Sequence, residues 1–204
     1  YRRLPEDLTA ELEALIPWFI DKVKWSWHAG LVAEEKHKVT VAGEACVVIL
    51  GRSEQDYSKF KKIEIYPRDM KPVGHDDAVG LANQSRVRLG WYWAEQGMED
   101  GEDNYNVVLH EFAHVMDRMP DNWSRADPLF EDPDLAREWK SFANEEFKDL
   151  CERWERKSGR RVVREYGTEN MAEFFACSTE AFFERSEELQ FTRPKLYDWM
   201  QKIY

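Results

Sequence analysis

A chain of 204 residues is long enough for one well-cored domain, and nine Trp, eleven Phe and eight Tyr supply large side chains to fill it. Its 40 acidic residues against 29 basic ones give a net charge of -11. Such a surface repels phosphate and argues against nucleic acid as a partner. No apolar run approaches the roughly 18 residues of a membrane span, so no membrane partner is expected. Cys46, Cys151 and Cys177 are an odd number and form no C-x-x-C pair. Free thiols in a reducing compartment are the simplest interpretation, and a cytoplasmic location is expected. No signal peptide is visible, although the first residue is Tyr1 rather than Met.

The first predicted helix runs from Pro5 to about Ile20. Pro5 suits a first turn, Glu6 and Asp7 favour the positive helix end, and Leu8, Leu12, Leu15, Ile16 and Phe19 repeat at helical spacing. Pro17 is expected to kink or shorten it. A second helix spans Glu34 to Leu50, with Val39, Ala42, Cys46, Val47 and Leu50 inward and Gly51 as its stop. His28 and His37 are expected to be surface or packing residues. Short strands follow at Lys62–Tyr66, Ala78–Ala82 and Arg86–Trp91. Gly97 to Asn106 is a polar loop in which Asn104 or Asn106 caps the next helix.

That next helix contains Val107 to Asp117, VVLHEFAHVMD. His110, Glu111 and His114 form H-E-x-x-H. Positions i and i+4 share one helix face, so two imidazoles can reach one metal ion. Glu111 is turned about 100° around the axis from His110, placed to act on a water at that ion. The flanking residues are apolar, and burying two histidines and a glutamate among them is costly without a purpose. After a loop to Pro133, a long amphipathic helix is predicted from Asp134 to Lys157, with Leu135, Trp139, Phe142, Phe147, Leu150 and Trp154 on one face and Gly159 as its end. A very apolar helix from Thr168 to about Arg185 follows, and Pro194 opens a last one. There is no internal repeat or clear linker. The expectation is a single α+β domain over residues 1–204, mostly helical, with a small sheet next to the H-E-x-x-H helix.

Zinc held by two histidines in a hydrolase needs a third protein ligand and an open position for water. No histidine follows His114 in the chain, so a carboxylate is the simplest third ligand. Glu173 is the best candidate, because it lies inside the apolar run Met171 to Ala176. Glu169 at the helix start is expected to be solvated. Glu180 and Asp117 are candidates to hydrogen-bond a ligating histidine; for Asp117 a helix-end hydrogen bond is an equal alternative.

Residues 166–176, YGTENMAEFFA, paired with HEFAHVMD, resemble the Mlc titration factor A family of zinc peptidases, which is related to the catalytic domain of anthrax lethal factor. The resemblance extends over GEACVVILG, IEIYP, VRLGW and STEAFF, from about Leu12 to Tyr204. It implies a zincin-like peptidase fold and Zn2+ held by His110, His114 and Glu173. It also implies Glu111 as general base and Tyr166 as the phenol that stabilises the oxyanion or donates a proton. Where lethal factor carries a glutamate four residues after its ligand, this chain has Cys177, which leaves Glu180 as the supporting carboxylate. Members of the family also carry a loop histidine near the metal, for which His75 is the candidate here.

The function expected is zinc-dependent hydrolysis of peptide or protein substrates, with aminopeptidase behaviour on short ones. The strand Val87–Trp91 is the expected edge for pairing with an extended substrate. The alternative implied by the same resemblance is a binding protein that sequesters a transcriptional repressor through a weak or latent zinc site.

Overall fold

The computed structural model describes residues 4–69, 80–83, 85–117, 130 and 132–204. It is a mostly helical α+β protein with one small mixed sheet. The chain divides into two units. The first holds residues 1–100 and 106–115, with Tyr204; the second holds 101–105 and 116–203.

In the first unit, helix α1 (Glu6–Lys22) leads into strand β1 (Lys24–Trp27), and helix α2 (Glu35–Val48) follows. Strands β2 (Lys62–Tyr66), β3 (Gly80–Asn83) and β4 (Arg86–Gly90) complete a sheet of order β1-β2-β4-β3. The pairs β1–β2 and β2–β4 are parallel, and β3 is antiparallel to β4. Register puts Trp25, Ile63, Val87 and Ala82 in one row and Trp27, Ile65, Leu89 and Gly80 in the next. These rows form the apolar face of the sheet. Lys62, Glu64, Arg86 and Arg88 alternate with them and form the polar face.

Helix α3 (Trp91–Glu99) starts directly on the last strand, and helix α4 (Val107–Met116) carries the H-E-x-x-H motif. Phe112 on α4 is fully buried and meets Phe60, Tyr57 and Phe19 at ring-centroid distances of 5.2, 5.5 and 5.7 Å. Tyr57 is fixed in turn by its hydroxyl, which donates to the Ala45 carbonyl at 2.7 Å. This aromatic cluster anchors α4 between its two histidines.

The second unit is built on helix α5 (Pro133–Glu155), helix α6 (Met171–Glu184), helix α7 (Ser186–Thr192) and helix α8 (Pro194–Ile203). Trp139 is its largest fully buried side chain and contacts Phe142, Phe175 and Trp199. Arg193, itself buried, pairs with Glu146 and Asp149 of α5.

Several expectations change in detail. α1 runs to Lys22 with Pro17 inside it, on the exposed side of the helix. Val39 is 45 % exposed rather than inward, because α2 turns it away from Val41, Ala42 and Ala45. β1, α3 and α7 are elements that hydrophobic spacing did not indicate. β4 is flanked by β2 and β3, so it is an inner strand; among the described residues β3 is the free edge on that side. The three cysteines lie on α2, α5 and α6 as free thiols.

Candidate metallopeptidase site

α4 begins where Asn106 Oδ1 accepts hydrogen bonds from the backbone N–H groups of Val108 and Leu109, at 3.1 and 3.0 Å. This is the side-chain cap expected of Asn106. Asn104 instead sits at φ 66° and donates its side-chain amide to the Val162 carbonyl at 2.6 Å.

One turn into α4, His110 and His114 are both buried, each at 7 % exposure, with ring centroids 4.8 Å apart. Their Nε2 atoms face each other at 3.2 Å. Two nitrogens bound tetrahedrally to one zinc at about 2.0–2.1 Å stand roughly 3.3 Å apart, so the pair has the spacing a shared cation requires. Two neutral imidazoles with both lone pairs pointing inward would repel each other. Either a proton or a cation between the nitrogens relieves that repulsion.

Glu111 is buried beside them and lies against β3. A β-carbon placed on Gly80 would come 2.7 Å from Glu111 Cδ and would collide with Oε1. Gly80 ends the apolar row Trp27, Ile65, Leu89, Gly80, so its bare face turns toward the side of the sheet where Glu111 sits. The glutamate is therefore held next to the edge strand in space that only glycine leaves open.

In the second unit, α6 is capped by Asn170 Oδ1, which accepts from Ala172 and Glu173 N–H at 2.9 and 3.1 Å. Glu173 is 6 % exposed in the first turn of this helix, and Ala172 and Phe174–Ala181 are all buried. Glu169 is exposed, as expected of a residue before the cap. Tyr166 lies on a 3-10 turn, Glu165–Thr168, and is 50 % exposed. The turn is pressed onto α6: a β-carbon on Gly167 would fall 3.2 Å from Cys177 Cβ and 3.2 Å from Val163 Cγ1. Glu180, 1 % exposed on α6, is gripped through Oε2 by Nε and Nη2 of Arg164. Arg164 is the residue at which the Tyr166 turn begins, and its guanidinium stacks 4.7 Å from the Tyr105 ring. Asp117 is fully buried just past α4. His75 falls outside the described residues.

The sequence matches the model of the glucose-regulated metallo-peptidase M90 family over residues 1–204. The chain belongs to this family. It is 28 % identical over 218 residues to the uncharacterized protein slr2042 of Synechocystis sp., an alignment covering all of this chain and 78 % of that protein. It is also 27 % identical over 158 residues to Mlc titration factor A of Pectobacterium atrosepticum, covering 71 % of this chain and 59 % of that protein. Membership in a metallopeptidase family implies a bound metal ion, and the described residues of this M90 chain include buried groups able to hold one. No described helix is long and apolar enough to cross a membrane.

Two features of the M90 chain were not singled out from sequence. One is the contact of Gly80 with Glu111, for which an isolated glycine within a strand is a usable sign of close approach. The other is the grip of Arg164 on Glu180. The arginine lies in the run RRVVRE, where one cation looks like another.

Proposed function

We propose that this protein is a zinc-dependent peptidase of the H-E-x-x-H type in which His110, His114 and Glu173 hold the ion. The observation that carries this proposal is the 3.2 Å approach of the two buried Nε2 atoms, beside a buried glutamate, in a member of a metallopeptidase family. Glu173 supports it as a carboxylate buried in the first turn of an apolar helix. A zinc ion held there would supply Lewis acidity, able to polarise the scissile carbonyl and to bring the pKa of a water toward neutrality.

Glu111 accepts the proton of the attacking water and delivers it to the leaving amine. Its place against Gly80 sets that base beside β3, the free edge among the described strands on that side. An extended peptide pairing with β3 would bring its backbone past Glu111. The phenol of Tyr166 donates a hydrogen bond to the developing oxyanion. Glu180, held by Arg164, supports a ligating histidine. Aminopeptidase behaviour on short peptides and a cytoplasmic setting complete the reading.

The deciding experiment is Glu111→Gln with zinc content and peptide hydrolysis measured on the same preparation. Zinc should stay near one equivalent, and turnover should fall by at least about a hundredfold. Unchanged turnover would refute Glu111 as the base.

A second reading is favoured by the likeness to Mlc titration factor A. In it the chain binds and sequesters a transcriptional repressor, and the metal site is weak or latent. The same variant separates the two, because repressor capture would survive loss of the base.

A further inference from the structure

The polar face of the sheet reverses the charge of the molecule. The chain carries -11 overall, yet the charged strand residues on this face are four cations, Lys24, Lys62, Arg86 and Arg88, and a single carboxylate, Glu64. Lys62 and Arg88 hydrogen-bond to Glu64, the latter through Nε to Oε2 at 2.9 Å. Arg86 Nη1 stays at 3.7 Å, beyond hydrogen-bond reach, and Lys24 is exposed. His28 Nε2 lies 3.6 Å from Glu64 Oε1, the oxygen that Lys62 also contacts. One carboxylate thus orders Lys62 and Arg88, and among the charged strand residues of this face cations outnumber it by three. Arg86 and Arg88 remain 43 % and 34 % exposed in their side chains.

The strands β1, β2 and β4 that carry these cations are parallel. Parallel strands in soluble proteins are ordinarily covered on both faces. Here one face is covered by the apolar core, and the other displays two partly exposed guanidinium groups, of which that of Arg88 is pre-ordered by Glu64. Pre-ordering lowers the entropic cost of binding. Arginine forks match carboxylates in two-point geometry.

We propose that this face docks an acidic polypeptide segment, with Lys24, Arg86 and Arg88 contacting its carboxylates. Arg86 and Arg88 are two positions apart on one strand, roughly 6.6 Å. Acidic residues at alternate positions of an extended segment have the same repeat. A continuous polyphosphate is the poorer occupant, because the remaining surface of a -11 chain repels it along its length.

The test is fluorescence anisotropy with a short labelled peptide bearing glutamate at alternate positions. A chelator is present so that no hydrolysis intervenes. The full chain should bind this peptide at low salt, lose affinity as salt rises, and ignore the same peptide with lysine for glutamate. Lys24→Glu with Arg86→Glu should weaken binding by about tenfold or more, since two attractive charges become repulsive. Both substitutions leave the hydrogen bonds of Lys62 and Arg88 to Glu64 in place; should the pair unfold, Arg86→Gln alone should still cost about threefold. Equal affinity in wild type and variant overturns the proposal. So does tighter binding of a single-stranded oligonucleotide, or a self-association in sedimentation that the double variant abolishes, which would make a second copy the occupant.

Discussion

The carboxylate of Glu111 lies against the bare Cα of Gly80, two residues 31 positions apart that meet where α4 passes the end of β3. Alanine at position 80 would put a methyl group onto Oε1, so the glutamate must rotate away. The fold should tolerate this, because β3 is an edge strand with a single described neighbour. Gly80→Ala should therefore lower kcat by about tenfold or more while metal content and Tm change little. Stopped assays on metal-quantified protein would show it. A fall in KM-linked binding alone would mean that the contact serves the strand and not the base.

Glu173 and Tyr166 make separable predictions. Glu173→Ala should remove most of the bound metal, about tenfold or more in affinity, since one of three proposed ligands is lost. Normal metal content would assign the ligand to another carboxylate. Tyr166→Phe should keep the metal and lower kcat more than it raises KM, because a hydrogen bond to the oxyanion is made in the transition state. Its 50 % exposure means that the loss of one hydroxyl should cost almost no stability.

Local helical features were more legible in the sequence than the order and extent of the strands. The i, i+4 histidines, the buried Glu173 and the Asn106 cap all depend on local spacing, and helical spacing is visible in one dimension. β1 was invisible because Lys-Trp-Ser-Trp is too short to establish a period, and its strand state comes from pairing with β2, 38 residues on. α3 was hidden because Trp91 follows β4 without a turn residue between them, so strand-like aromatics run straight into a helix. The inner position of β4 depends on a parallel β2–β4 pairing that skips β3, and no local pattern encodes strand order.

Arg164 holds Glu180 at the foot of the turn that carries Tyr166. Arg164→Ala would remove the two-nitrogen grip on a carboxylate that is 1 % exposed, at a cost of about 3 kcal/mol in unfolding free energy. Arg164→Lys keeps a charge near Glu180 but not the two-nitrogen grip, so it should recover part of that loss. If the grip also fixes the Tyr166 turn, the lysine variant should show lowered kcat with near-normal KM. Urea titration and steady-state kinetics on the two variants separate the stabilising effect from the positioning one.

Two carboxylates in the first unit should shape stability against pH in opposite senses. On α2, burial raises Glu44 from 4.5 to about 7, against the pull of its hydrogen bond with Asn106. A carboxyl that holds its proton more tightly when folded favours the fold most below pH 4.5. That contribution is lost as pH rises to about 7, by at most about 1.4 kcal/mol per pH unit. Glu64 goes the other way: burial alone would raise it, but the hydrogen bonds and charge of Lys62, with Arg88 and Arg86, outweigh burial and bring it to about 2. Its stabilisation is complete above 4.5 and is lost as pH falls through about 2. Glu44→Gln should therefore flatten the decline between pH 4.5 and 7 and leave the acid limb alone, whereas Glu64→Gln should remove part of the acid limb. Denaturant midpoints of both variants and the parent across that range measure the two slopes. A parent profile steeper than that of Glu44→Gln between pH 4.5 and 7 would show that Glu44 carries this slope. Superimposable profiles would show that Glu44 titrates alike in the folded and unfolded chain.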